Sequence, residues 1–233
     1  MALTPFRRHD VGFSGVLTSA GHWRIETVPL GIFIRPHNQS SLENCLERAR
    51  RDEVNYPEVG ATLSDSTPNG YYEQHQRLCI GRGQSAFDRA KEGLNTWRAH
   101  MGHGVSLYPV DTPLQDALTV LVLWGTPGFA VVAPCRVIQV VDQPQRFAFA
   151  YGTLPHHPEI GEELFEIRID NDEQVIFTIS AFSRAGLLSV RSIGPFARKL
   201  QARATKGYLA SLRSFVEAEG RPSISLRGPQ ATS

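Results

Sequence analysis

Short apolar runs, in part with alternating polar positions, occupy the middle of the chain between residues 104 and 184. Six short runs there are rich in β-branched and aromatic residues and are separated by turn residues. The runs are GVSLYPV, ALTVLVLW, FAVVAPCRVIQVV, RFAFAYG, EELFEIRID and QVIFTISAF. Alternation with a period of two is typical of strands, and such short links require antiparallel neighbours. The pattern therefore predicts a meander of six strands.

Upstream of the meander, the apolar spacing predicts one further strand at 70–79, between two short helices. The first helix is expected from residue 40 or 41 to about residue 52, and the second after residue 84. In each helix a serine is followed three residues later by an acid, which is the spacing of a capping pair and predicts the N-terminus. The pairs are Ser40 with Glu43 and Ser85 with Asp88.

A long C-terminal helix is predicted to begin after Gly194, because Pro195 suits a first helical turn and an apolar stripe continues for about six turns. The stripe consists of Phe196, Leu200, Ala204, Tyr208, Leu212 and Phe215. It must be buried on a large apolar surface, and the predicted sheet offers one. We therefore expect an α+β helix-grip fold, a curved antiparallel sheet of about seven strands wrapped on the long C-terminal helix.

The predicted domain covers 39–218. Residues 1–38 show little periodicity and are interpreted as an N-terminal extension. Residues 219–233 are polar and contain Gly and Pro, so we expect a disordered tail.

Composition restricts the function classes. The net charge of +1 and the sequence pI near 7.8 give no field that favours nucleic acid or a membrane surface. No run of about 18 apolar residues predicts a membrane span. Three widely spaced cysteines without a CxxC motif predict neither a disulfide framework nor a zinc site, and they favour a reducing, cytoplasmic location. No metal and no cofactor is expected, and the oligomeric state is not predicted.

Charge is unevenly distributed along the chain. Residues 111–184 hold ten acids against four bases, whereas 194–233 hold seven bases against two acids. The basic C-terminal helix is interpreted as a solvated face whose cations suit a helix C-terminus. The alternative is a rim that attracts an anionic ligand.

Several motifs resemble one family. They are NYPEVGAT (55–62), IGRG (80–83) with Phe87 and Trp97, APCRVIQVVD (133–142), YGTLPHHPEIGEELF (151–165), FTISAFSR (177–184) and GPFARKLQ (194–201). On these motifs, residues 54 to about 216 resemble the domain-of-unknown-function family 1990, also called the UPF0548 family. The family is similar in strand order to the START and birch-pollen-allergen superfamily, which implies the same helix-grip fold. The resemblance implies no activity. The sequence departs from the family pattern in two places: residues 1–38 are an addition, and Ala185 stands where the family usually has proline.

The densest cluster of polar residues lies at 151–163. His157 is a candidate general base oriented by the Glu159 carboxylate, and Glu162 or Glu163 a candidate proton donor. Strand alternation places Glu162 and Glu163 on opposite faces, so at most one of them points inward. The alternative is that these groups only hold the turn. The catalytic candidates are His157, Glu159 and Glu162.

Four further residues are expected to contact a ligand: Tyr151, Thr153, Ser183 and Arg184. A buried Arg184 would bind a carboxylate or phosphate of the ligand, or alternatively pair with Glu162 or Glu159 inside the protein. No GxSxG, HExxH or Cys/His signature supports a common hydrolase.

Three functions remain. The leading hypothesis is binding of a small amphipathic or apolar molecule in a cavity between sheet and helix. The second is a cofactor-independent cyclase, lyase or hydrolase that uses His157 and Glu159. The third is a protein-interaction module, contacted through residues 1–38 or the basic helix.

Overall fold

The computed structural model describes residues 32–34, 39–64, 67–126, 129–186 and 194–219. The strands are β1 (Ile32–Ile34), β2 (Tyr72–Arg82), β3 (Val105–Tyr108), β4 (Thr119–Thr126), β5 (Phe129–Gln143), β6 (Arg146–Thr153), β7 (Glu159–Ile169) and β8 (Gln174–Ala185). The helices are α1 (Gln39–Ala49), α2 (Gln84–Asn95) and α3 (Gly194–Glu219), with 3₁₀ turns at Ala61–Ser64 and Arg98–His100.

One antiparallel sheet contains all of these strands. The order across it is β2-β8-β7-β6-β5-β4-β3, and β1 pairs with the start of β5. The last six strands are therefore a meander, as the sequence predicts, and β2 joins it beside β8. Register shifts at Val137/Gln139 in β5 and at Cys79/Gly81 in β2 mark bulges, which bend a strand and increase its twist.

The sheet has an inner face, covered by α2 and α3, and an outer face. Phe149, Phe165 and Phe177 point inward and are fully buried. On the same strands the alternate residues point outward, where Ala150 and Leu164 form a separate small cluster with neighbours that include the 3₁₀ turn at 61–64. Sheet and long helix together form the predicted helix-grip fold.

Helix α3 buries the C-terminal part of its predicted stripe. Tyr208 and Leu212 are buried in the main core together with residues of the sheet and of α2. Gly93 of α2 allows a close approach, because a Cβ there would lie 2.6 Å from Leu212 Cδ1. The side chains of Phe196 and Leu200 lie outside the described residues.

The predicted capping pairs are wrong. Helix α1 begins at Gln39 and includes Ser40, and the Gln39 side chain donates to Glu43. Helix α2 has Gly83 at its N-cap, where the φ of 80° favours glycine. Since glycine has no side chain, this N-cap makes no side-chain capping bond. The Ser85 hydroxyl accepts from Arg89 instead.

Most of the predicted extension and tail, 1–31, 35–38 and 220–233, lies outside the described residues, and so does the hypothesis of a partner bound through the extension. None of the helices in the described ranges has the length and apolar character needed to cross a membrane. All three cysteines are free thiols.

We expect Leu212→Ala to destabilise the protein by about 2–5 kcal/mol, because it removes a fully buried side chain between α3 and its neighbours. Arg213→Ala is the matched control on the same helix. Arg213 is exposed and forms a surface ion pair with Glu217, so its loss should change the free energy of unfolding by less than about 1 kcal/mol. Denaturant titration checks both values. Equal losses would contradict the packing described for α3.

Candidate functional site

Strand β7 carries two adjacent glutamates that face opposite sides of the sheet. Glu162 points to the outer face, on the side of Leu164, and Glu163 to the inner face, on the side of Phe165. The predicted alternation is therefore correct. The inward-facing member is Glu163, however, and not the candidate Glu162.

Glu162 is the centre of a hydrogen-bond cluster on the outer face. Its carboxylate accepts from the Tyr56 hydroxyl, the Gly60 amide, and both the amide and the hydroxyl of Thr62, at 2.5–3.0 Å. All four donors belong to the 55–62 motif, and Glu162 is only 3% exposed. These contacts favour the interpretation in which Glu162 holds structure, and its catalytic role stays a prediction without support from the geometry.

The 55–62 motif also binds the end of β6. The Asn55 amide group donates to the Leu154 carbonyl, and the Thr153 hydroxyl donates to the Asn55 side chain. Thr153 further accepts from the Gly161 amide. Gly152 lies directly under Tyr56, and a Cβ at this position would collide with the tyrosine ring. The 55–62 motif and the 151–165 motif therefore meet here.

A partly enclosed pocket of about 40 Å³ lies on the inner face, between the ends of β6, β7 and β8 and helix α3. It is lined by Val122, Trp124, Cys135, Tyr151, Thr153, His157, Glu159, Gly161, Glu162, Glu163, Ala181, Phe182, Ser183, Ala204, Thr205 and Tyr208. Six of the seven predicted site residues are among them, Arg184 being the exception.

Glu163 is the central polar group of this pocket. Its carboxylate accepts a 2.7 Å hydrogen bond from the Tyr151 hydroxyl, and the rings of Trp124 and Tyr208 line the same pocket. Burial raises the pKa of Glu163 to about 7, although the bond from Tyr151 acts in the opposite direction. A substantial fraction of Glu163 is therefore protonated near neutral pH.

Glu159 is the second carboxyl group of the pocket. Burial, with a further contribution from the charge of Glu163, raises its pKa to about 7. The two carboxyl groups titrate over the same pH range and oppose each other's ionisation. Groups with pKa values shifted toward neutral pH concentrate at functional sites.

His157 lies in the loop between β6 and β7 and is 5% exposed. Its Nδ1 is 2.9 Å from both the amide nitrogen and the carbonyl oxygen of Glu159, so the backbone of Glu159, rather than its carboxylate, orients the ring. Burial lowers the pKa of His157 to about 4, which keeps the imidazole neutral at pH 7. The Trp124 ring packs against it edge-on, with centroids 6.1 Å apart.

Ser183 and Arg184 follow the alternation of β8. Ser183 is buried and lines the pocket, whereas Arg184 is exposed on the other face, with its guanidinium 5.0 Å from the centre of the Tyr71 ring. The premise of a buried Arg184 is therefore wrong. Its side chain is turned away from the pocket because adjacent residues of a strand point to opposite faces.

Sequence reasoning missed Trp124, Tyr208 and Cys135 as pocket residues. Trp124 Nε1 donates to the Tyr208 hydroxyl at 3.3 Å, which ties β4 to α3 above the pocket. The apolar stripe of α3 does contain Tyr208, so the signal was present as a polar group in an apolar stripe. For Cys135, an inward position on β5 was the available signal.

These features define a helix-grip protein with a small, mainly apolar pocket that contains acidic groups, between its sheet and long helix. The family model described as "Domain of unknown function (DUF1990)" matches residues 55–211. The UPF0548 protein of Deinococcus radiodurans is 31% identical over 199 residues, which cover 80% of this chain and 98% of that protein. The chain belongs to the DUF1990 (UPF0548) family, as its motifs predict.

A UPF0548 protein of Arabidopsis thaliana is 26% identical over 127 residues, covering 52% of this chain and 62% of that protein. A hypothetical protein from Helicobacter pylori has a TM-score of 0.47 at 11% identity, over 71% of this chain and 96% of that chain. A norcoclaurine synthase from Thalictrum has a TM-score of 0.44 at 9% identity, over 67% of this chain and 100% of that chain. Likenesses this distant say nothing about ligand or reaction.

We expect Glu162→Gln to lower the free energy of unfolding by about 2 kcal/mol or more, because the amide nitrogen would face hydrogen-bond donors in a buried cluster. Glu163→Gln is the adjacent isosteric control and keeps an acceptor for Tyr151. Denaturant titration at pH 7 compares the two variants. A smaller loss for Glu162→Gln than for Glu163→Gln would contradict the structural role of Glu162.

Glu163 also makes stability depend on pH. Its folded pKa of about 7 lies above the ordinary value of 4.5, so the folded state holds more of this proton between those pH values. Its contribution to stability is therefore lost as the pH rises from about 4.5 through 7, by at most about 1.4 kcal/mol per pH unit.

His157 and the buried His100 have lowered pKa values and act oppositely below pH 6.5. The informative quantity is therefore the stability of the wild type minus that of Glu163→Gln. We expect this difference to fall with rising pH, as measured by unfolding at pH 5, 6, 7 and 8. A difference independent of pH would show that Glu163 titrates normally.

Proposed function

We propose that the protein binds a small molecule in the pocket between the inner face of the sheet and α3. The observation that carries the proposal is the convergence of Glu159, Glu163 and His157 on one enclosed space with aromatic walls. Mainly apolar pockets with a few convergent polar groups are the usual form of ligand sites. Groups with shifted pKa values concentrate at such sites.

The pocket is smaller than the leading hypothesis expects. Its volume of about 40 Å³ is roughly a tenth of that of pockets that hold a drug-sized ligand. It exceeds the space that a single water molecule needs. We therefore propose that it receives one small polar group of the ligand rather than a whole amphipathic molecule.

Acid–base catalysis without a cofactor is the second candidate. The pKa values near 7 of Glu159 and Glu163 favour it, because a catalytic acid or base works best when its pKa is close to the operating pH. In this proposal Glu163 takes the role predicted for Glu162, and neutral His157 assists as a hydrogen-bonding group. The ligand is then also the substrate.

We also propose a cytoplasmic location and no role for nucleic acid. Free thiols at Cys45, Cys79 and Cys135 support a reducing compartment. The near-zero net charge and the acidic pocket offer little attraction to a phosphate backbone.

A fragment screen by protein-observed NMR tests the binding proposal. We expect some fragments to shift the resonances of Tyr151, His157 and Thr205, which line the pocket. Ala181→Leu should abolish these shifts, because Ala181 also lines the pocket and the larger side chain fills it. Glu92→Gln, an exposed change on α2, is the control and should leave the shifts unaltered.

If no fragment reaches these residues, the binding proposal is wrong. If a ligand is found, mass spectrometry of the ligand after incubation with the protein separates binding from catalysis. Conversion that stops in Glu163→Gln while binding persists would support the enzyme, and an unchanged ligand would support simple binding.

A further inference from the structure

We propose that the group that enters the pocket is cationic, specifically a primary ammonium group. This inference rests on the proposed binding function and names the chemical class of the ligand. Three features of the described residues support it: the charges that line the pocket, the hydrogen-bond roles of its polar atoms, and its aromatic walls.

The charged side chains that line the pocket are all acidic. Glu159 and Glu163 face it, while the Glu162 carboxylate is satisfied on the outer face. No lysine or arginine is among the lining residues within the described ranges. Arg184, which the sequence predicts to bind an anionic group of the ligand, is exposed and lies over the Tyr71 ring.

The basic side chains of α3 that the structure describes do not reverse this. Arg203 and Lys206 are exposed, on positions of the helix that alternate with the buried Thr205 and Tyr208. An anion would therefore find cations outside the pocket and carboxyl groups inside it. A cation would be repelled by the basic residues outside and attracted by the carboxyl groups inside. The electrostatics of the pocket therefore select for positive charge.

Hydrogen-bond donors around the pocket are already engaged. The Tyr151 hydroxyl donates to Glu163, and Trp124 Nε1 donates to the Tyr208 hydroxyl. Thr205 accepts from the Gln74 side chain. The pocket therefore offers acceptors rather than donors, and an ammonium group carries three donors and no acceptor.

His157 is a further polar group of the pocket, beside Glu159 and Glu163. The residue is 95% buried and lines the pocket, and its Nδ1 is bound by the Glu159 backbone. Its Nε2 has no hydrogen-bond partner among the residues that the structure describes. The two carboxyl groups present acceptors for one ammonium group, and His157 Nε2 adds a third in the tautomer whose Nδ1 donates to the Glu159 carbonyl.

The aromatic walls add to this preference. Trp124, Tyr151 and Tyr208 line the same space, and the faces of such rings attract cations by about 0.5–2 kcal/mol. Without a ligand, burial and mutual repulsion keep a proton on the carboxyl groups. An ammonium group replaces that proton, so its binding should release a proton to the solvent near pH 7.

Three probes of matched shape test the inference: propylammonium, propanol and propionate. Each is titrated into the wild type at pH 7.5 while the resonances of Tyr151, His157 and Thr205 are followed by NMR. We expect propylammonium to bind at least tenfold more tightly than propionate, and more tightly at pH 8 than at pH 6. Glu163→Gln should remove this preference, whereas Glu92→Gln should keep it.

The outcomes distinguish failure of the cationic class from failure of the binding proposal itself. If propanol or propionate binds as tightly as propylammonium, the pocket is a ligand site but the cationic class is wrong. If none of the probes shifts the pocket resonances and the fragment screen is also negative, the binding proposal fails along with it. If propylammonium binds equally well to Glu163→Gln, the assignment of its position is overturned.

Discussion

The period of two in strand β7 forces Glu162 and Glu163 onto opposite faces of the sheet. The hydrogen-bond cluster on the outer face and the pocket on the inner face both depend on this separation. On the outer face, Glu162 gathers four hydrogen bonds from the 55–62 motif and fixes it against β6 and β7. On the inner face, the half-buried Glu163 accepts a hydrogen bond from the Tyr151 hydroxyl. A one-residue shift in register would exchange these environments and abolish both.

The chemical character of the pocket follows from the few partners that stabilise the charge of the Glu163 carboxylate. A buried carboxylate is usually paired with a cation or receives several hydrogen bonds, whereas Glu163 receives one from Tyr151 and has Glu159 as a charged neighbour. Keeping a proton avoids the cost of burying an uncompensated charge. Binding a cation does so too, and for this reason one feature supports both the binding and the acid–base proposals.

The fold could be predicted largely from the sequence because its elements carry strong periodic patterns. The six strands after residue 104 are runs rich in β-branched and aromatic residues between turn residues, and α3 carries an apolar stripe at helical spacing. Helix starts were less predictable, since Ser40 and Ser85 match a capping spacing without capping. Within the site, alternation identified Glu162 and Glu163 as opposed but not which faced inward. The orientation depends on register against β6 and β8, which is set by tertiary packing.

Direct titration of the pocket carboxyl groups tests the central claim, that Glu163 is desolvated and keeps a proton close to neutral pH. With glutamate labelled by ¹³C at Cδ, the resonance of Glu163 is assigned by its absence in Glu163→Gln and followed by NMR from pH 4 to pH 9. We predict a midpoint near 7, with Glu159 titrating over the same range. Midpoints near 4.5 for both residues would mean that the pocket is open to water, and would contradict the account.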